Sequence, residues 1–167
     1  KDGDIVTGNG WTLEAVHTPG HASNHLCYAL KEENVLFSGD QVMGWSTTVV
    51  SEPDGHMGDY IGSLEKLLAR SEERYWPNHG TCIEDPQTYV GALIAHRRDR
   101  EKQIERCLQK GLDNIEDLVS EMYKGLDPRL HNGACRAVHS HLIHMIETNR
   151  AACNGAPSPE ALYSLPG

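Results

Sequence analysis

Over its first 80 residues the chain alternates short apolar runs with clusters of turn-forming residues, the pattern of β-strands. "DIV" (4–6) and "WTLEAV" (11–16) flank the turn "TGNG", and the second run sets Trp11, Leu13 and Ala15 against Thr12 and Glu14. "HLCYAL" (25–30) and "VLFSGD" (35–40) follow, joined by the polar "KEEN". The period then lengthens. "GDYIGSLEKLLAR" (58–70) predicts a helix with Asp59 as N-cap and Ile61, Leu64, Leu67 and Leu68 on one stripe. "RYWPNHG" (74–80) predicts one more strand running into a loop. Strands alternating with helices predict a layered α/β arrangement, in which hairpin-length links also make antiparallel pairs.

From residue 85 the pattern is helical. Asp85 caps a long helix with Pro86 at its first position, and Gly111 suits its end. Its stripe is Tyr89, Val90, Leu93 and Ile94, then Ile104 and Leu108 beyond a charged stretch. "NIEDLVSEMYKG" predicts a second helix capped by Asn114, with Glu116 and Asp117 in the first turn and Lys124 at the end, as the macrodipole favours. A third, 129–148, carries Leu130, Ala134, Ala137, Val138, His141, Leu142 and Met145 on one face. "RAACNGAPSPEALYSL" then predicts a small hairpin. Two short helices and a hairpin resemble a winged-helix unit, which places a boundary near residue 110.

Composition narrows the function. Fifteen basic against 24 acidic residues leave a net charge of −9, which argues against a nucleic-acid binder overall while leaving local phosphate contacts open. Five cysteines, odd in number and without a C-x-x-C pair, argue against a disulfide framework or a cysteine zinc site and fit a reducing, cytoplasmic compartment. No apolar run approaches the roughly 18 residues of a membrane span, and no basic-then-apolar leader opens the chain. The chain starts in mid-flow without Met, and is expected to be a piece of something longer. Ten histidines matter most, because neutral imidazole is a common metal ligand.

Three motifs concentrate that chemistry: "HTPGH" (17–21), "LFSGD" (36–40) and "WPNHG" (76–80). Each follows an apolar strand, and strand ends in one sheet share an edge where loops carry function. Gly20, Gly39 and Gly80 let the backbone approach closely or take positive φ. A hard or borderline cation there wants imidazole and carboxylate, so His21, Asp40 and His79 form the candidate set. "HSHLIH" (139–144) imitates a metal motif, but on a helix His139 and His141 project about 200° apart and cannot meet at one ion. "HRRDREK" (96–102) reads as an exposed helix face with Arg97–Glu101 pairing, or else as a phosphate contact. "EPDGHMGD" (52–59) reads as a substrate-side loop or the start of a helix, not a metal site.

The three motifs, with "GDQVMGWSTTVVSEPDGHMGDYIGSLEKL" between them, resemble the C-terminal half of the metallo-β-lactamase superfamily. The subgroup is the lactamase-beta-like hydrolases that include endoribonucleases and relate to glyoxalase II, and the resemblance covers nearly the whole chain. It implies an α/β fold, half of a metallo-β-lactamase αββα sandwich over 1–110, followed by a winged-helix-like domain over 111–167. It implies that His21 binds a first metal, that Asp40 bridges two metals and carries the catalysis, and that His79 binds the second. His17 and His25 would shape the loop. Two ions are implied, with zinc the first choice and manganese or iron also compatible. They would activate a water against a phosphodiester or a thioester or ester, in RNA or in a small molecule. The superfamily's H-x-H-x-D-H motif, source of four ligands, is not in these 167 residues. The resemblance therefore implies a missing N-terminal half as partner, a chain inactive and weakly zinc-binding by itself, and an uncovered sheet inclined to associate into an oligomer. The other reading is a non-catalytic fragment or a winged-helix module that binds nucleic acid.

Overall fold

The computed structural model describes residues 1–167. The apolar runs form β1 (Ile5–Gly8), β2 (Trp11–His17), β3 (Leu26–Leu30) and β4 (Val35–Gly39), paired antiparallel in chain order. Helix α1 (Met57–Leu68) then carries the chain back so that β5 (Arg74–Pro77) joins β4 in parallel. The five strands lie in the order β1-β2-β3-β4-β5. Because β3 is antiparallel to both neighbours, β2, β4 and β5 all end at the same edge of the sheet. That topology makes the site.

The register fixes the two faces. Glu14, Ala29, Leu36 and Tyr75 lie in one row, and Val16 and Cys27 are paired on the same face. This face packs on Met57, Tyr60, Leu64 and Leu67 of α1 and on Val90, Leu93 and Ile94 of α2 (Pro86–Gln109). Each large side chain buried there contributes about 1.5–3 kcal/mol. On the opposite face Ala15, Tyr28, Phe37 and Trp76 form a row beside Leu13, Leu30 and Val35. Tyr28, Phe37 and Trp76 are 41%, 44% and 46% exposed. The apolar set of the β2 alternation, Trp11, Leu13 and Ala15, thus belongs to the face that α1 does not cover, and Val16 supplies the covered one. The sheet is apolar on both sides, as in sheets buried on both faces.

Two details of α1 differ from the expectation. The N-cap of α1 is His56, whose ring nitrogen accepts the Asp59 N–H at 3.2 Å, so Asp59 lies in the first turn and is not the cap. Leu68 is exposed, because Met57 and Tyr60 complete the stripe one turn earlier. At α2, Asp85 accepts the Thr88 N–H, and Leu112 N–H to Cys107 and Gly111 N–H to Leu108 close the helix in a Schellman motif with Gly111 at φ +81°.

The chain divides into two compact units, residues 1–50 with 54–95, and 51–53 with 96–167. This division falls inside α2, because Ile104, Cys107 and Leu108 belong to the second core. That core joins them to Ile115, Leu118 and Val119 of α3 (Ile115–Met122) and to Ala134, Val138, Leu142 and Met145 of α4 (His131–Glu147). Asn114 caps α3 by accepting the Asp117 N–H. Leu130 is exposed: residues 128–130 form a separate 3-10 turn, so it leaves the α4 stripe. A two-stranded hairpin, β6 (Ala152–Cys153) with β7 (Tyr163–Ser164), ends the unit.

In "HRRDREK" Arg98, Asp99 and Lys102 lie on an exposed face, with Lys102 paired to Asp99 at 3.2 Å, but Arg97 and Glu101 do not. Arg97 and Glu101 are 5% and 2% exposed. Glu101 receives His144 Nδ1 at 2.7 Å, His141 Nδ1 at 3.4 Å and Arg150 at 2.6 Å. The stripe that carries Ile104 and Leu108 inward carries these charges with it, and α4 supplies the partners. His139 is buried without sharing this cluster, and its charged neighbours are Glu52 and Glu160.

Candidate metal centre

The edge where β2, β4 and β5 end holds His21, Asp40 and His79. His21 Nε2 stands 3.8 Å from Asp40 Oδ2, and His79 Nε2 stands 3.5 Å from Asp40 Oδ1. One carboxylate therefore presents one oxygen to each imidazole. Residues 19 and 39 positions apart in sequence meet because their strands run the same way.

Each neighbouring glycine has a steric reason. Gly20 sits at φ +133°, and a Cβ there would lie 2.3 Å from the Tyr60 backbone. Gly80, at φ +95°, crosses Gly44 so closely that a Cβ would reach its backbone at 2.7 Å. Gly39, at φ +58°, leaves room for His25, whose Nε2 would be 2.6 Å from a Cβ. A Gly39→Ala exchange is expected to cost about 1–2 kcal/mol from the left-handed backbone alone, read as a lower denaturant midpoint. An unchanged midpoint would mean that His25 and Asp40 do not need this close approach.

His17 and His25 hold the loop. His17 Nε2 bonds the Ser23 carbonyl at 3.0 Å. His25 Nδ1 bonds Thr18 Oγ1 at 2.8 Å, and its Nε2 accepts the Asp40 N–H at 3.2 Å. That Nε2 must be unprotonated, and burial together with the nearby His21 lowers the His25 pKa. The Asp40 carbonyl accepts Thr48 Oγ1 at 2.6 Å, and the His79 carbonyl accepts the Gly44 N–H at 2.8 Å. Backbone at both positions is fixed, so the side chains are aimed. In "EPDGHMGD", Asp54 accepts the Ser23 N–H, and His56 starts α1. The segment is the start of a helix tied to the His21 loop.

The donor set fits a cation. His21 Nδ1 lies 2.7 Å from the Val49 carbonyl, which only accepts, so Nδ1 carries a proton and the neutral ring keeps the Nε2 lone pair toward Asp40. Asp40 Oδ1 is buried without a hydrogen-bond donor. Lone pair facing carboxylate is repulsive unless a positive charge lies between them. An ion bound at about 2.1 Å to nitrogen and oxygen sets them roughly 3.0–3.6 Å apart. The 3.5 Å pair falls in that range and the 3.8 Å pair just above it.

Comparison with known proteins identifies the family and the fold. Residues 1–79 match the metallo-beta-lactamase superfamily, and residues 115–156 match the beta-lactamase associated winged helix domain. A lactamase-like protein from Aspergillus niger is 29% identical over 98% of this chain and 55% of its own length. An atrochrysone carboxyl ACP thioesterase from Claviceps purpurea is 34% identical over 73% of this chain and 40% of its own. The crystal structure of a beta-lactamase domain protein from Burkholderia ambifaria superposes on 99% of this chain and 51% of that one, with TM-score 0.85 and 22% identity. The chain spans about half the length of the curated relatives it matches. With one superfamily domain matched up to His79 and its associated winged helix matched after it, the chain belongs to the metallo-β-lactamase superfamily.

Proposed function

We propose that this chain is the C-terminal portion of a metal-dependent hydrolase of thioesters or esters, with His21, Asp40 and His79 as its share of a two-metal centre. The observation that carries the reading is Asp40, whose two oxygens each face a different imidazole. Zinc or a similar ion, when bound, supplies Lewis acidity and a water acidified toward neutral pH. The chain's residues do the rest. Asp40 sets the spacing of the two positions, and the Val49 carbonyl holds His21 in the tautomer whose Nε2 is free to bind.

The substrate class follows from two considerations. The thioesterase name of the Claviceps purpurea relative favours an acyl thioester. The net charge of −9 disfavours RNA, which a polyanionic surface repels. The winged helix is then an appended fold element and not a nucleic-acid reader.

His21 and His79 serve different ions in this arrangement, so each ion finds two protein ligands where catalytic zinc sites keep three. The exposed row of Tyr28, Phe37 and Trp76 is suited to a facing sheet, which would bring the remaining ligands. The test compares this chain with one extended by an N-terminal half carrying H-x-H-x-D-H. Tight binding of two zinc ions and thioester hydrolysis are expected only for the extended chain. Two tightly held ions with turnover in the 167-residue chain would overturn the division of ligands.

A further inference from the structure

We propose that Glu116, His131 and Cys135 form a second cation site, in the winged-helix unit, for zinc or another borderline divalent ion. The three come from two elements: Glu116 from the first turn of α3, and His131 and Cys135 from the start of α4. His131 and Cys135 are four residues apart, so the helix stacks them on one face. Cys135 Sγ lies 3.7 Å from His131 Nδ1 and 3.8 Å from Glu116 Oε1. One donor atom from each residue lies within 4.8 Å of the other two.

The two separations to sulfur match a tetrahedral ion. Zinc holds sulfur at about 2.3 Å and nitrogen or oxygen at about 2.0–2.2 Å, which sets sulfur roughly 3.6 Å from either. Cys135 is half-buried with its sulfur against the Glu116 carboxylate. A divalent charge would give the thiolate and the carboxylate one shared counter-ion. His131 Nε2, the ring nitrogen that would not bind the ion, stands 3.2 Å from Glu116 Oε2, so the carboxylate also orients the ring. The donor set, one sulfur, one nitrogen and one oxygen, suits zinc better than calcium or magnesium, which prefer oxygen alone. The fourth position would be water, making the ion exchangeable and linking α3 to α4.

Sulfur separates this site from the centre at the sheet edge, whose proposed ligands contain none. Cobalt(II) is the probe: added to the full 167-residue chain, it gives a near-ultraviolet thiolate-to-metal absorption only where sulfur binds it. The band is expected in the parent chain and in Cys153→Ser, and is expected to be lost in Cys135→Ser. Glu116→Gln and His131→Asn should each weaken cobalt binding at this band about tenfold or more. Zinc should displace the cobalt and remove the absorption. Circular dichroism confirms that each variant folds, which Cys135→Ser allows because the side chain is only half-buried. No thiolate band in the parent chain overturns the proposal. So does a band that survives Cys135→Ser, or one indifferent to both Glu116→Gln and His131→Asn.

Discussion

If the proposed function holds, replacing Asp40 with Asn in the N-terminally extended protein is expected to lower thioester turnover by about a thousandfold. The substitution keeps shape and removes one negative charge from the point where two imidazoles converge. It also puts an amide NH₂ where one of the two oxygens stood. A metal that stabilises transition-state charge contributes several kcal/mol, and about 4 kcal/mol corresponds to the predicted factor. The fold has little reason to change. The backbone of residue 40 still donates its N–H to His25 and still accepts Thr48 Oγ1, and both bonds are main-chain. Turnover and bound metal should therefore fall while the unfolding midpoint stays within about 1 kcal/mol of the parent. Turnover within tenfold of the parent, at equal metal content, would remove Asp40 from the centre.

Glu101→Gln is expected to destabilise the winged-helix unit by about 3–5 kcal/mol, the cost of taking one partner from a buried charged cluster. Burial alone would raise the Glu101 pKa, but hydrogen bonds from His141, His144 and Arg150 outweigh it and hold the carboxyl well below the usual carboxylate range. The Gln side chain leaves Arg150 without its carboxylate partner. The pH dependence follows from linkage. A carboxyl with a lowered folded pKa contributes stability present above its ordinary value near 4.5, and loses it as pH falls toward the folded pKa. His141 adds a step of the same sign at higher pH. Burial first, and Arg97 among its neighbours, lower its pKa from 6.5, so below about that pH the unfolded chain takes up a proton that folded His141 resists. Stability of the parent should thus decline on acidification, first below about 6.5 and again below about 4.5. The difference between parent and Glu101→Gln should shrink over the lower window, because protonated Glu and Gln are alike in charge. Urea unfolding at a series of pH values measures this, and a difference that stays constant down to pH 3 would show that the carboxylate charge is not what stabilises the cluster.

The amino-acid sequence by itself determined a good deal. Its alternating runs and turn residues specified the strands and their hairpins, and local chemistry set caps at Asp85, Asn114 and Gly111. It also singled out His21, Asp40 and His79 as candidate ligands, because each stands next to a glycine at a strand end, a local signal. Other features needed the folded chain. The alternation in "WTLEAV" defines two faces of β2 but not which one meets α1, and both carry apolar residues. The His56 cap depends on where α1 starts against the Gly20 loop, to whose carbonyl the His56 N–H is bonded. Arg97 and Glu101 read as a solvated pair because charge is ordinarily outside. They are buried because α4, about 40 residues later, brings His141 and His144 to the carboxylate. The distances at Asp40 likewise come only from the strand order, since the β3 reversal sends β2, β4 and β5 to one edge. Local propensity acts over a few residues, whereas burial and convergence depend on which distant segments pack together, and that is a property of the tertiary structure alone.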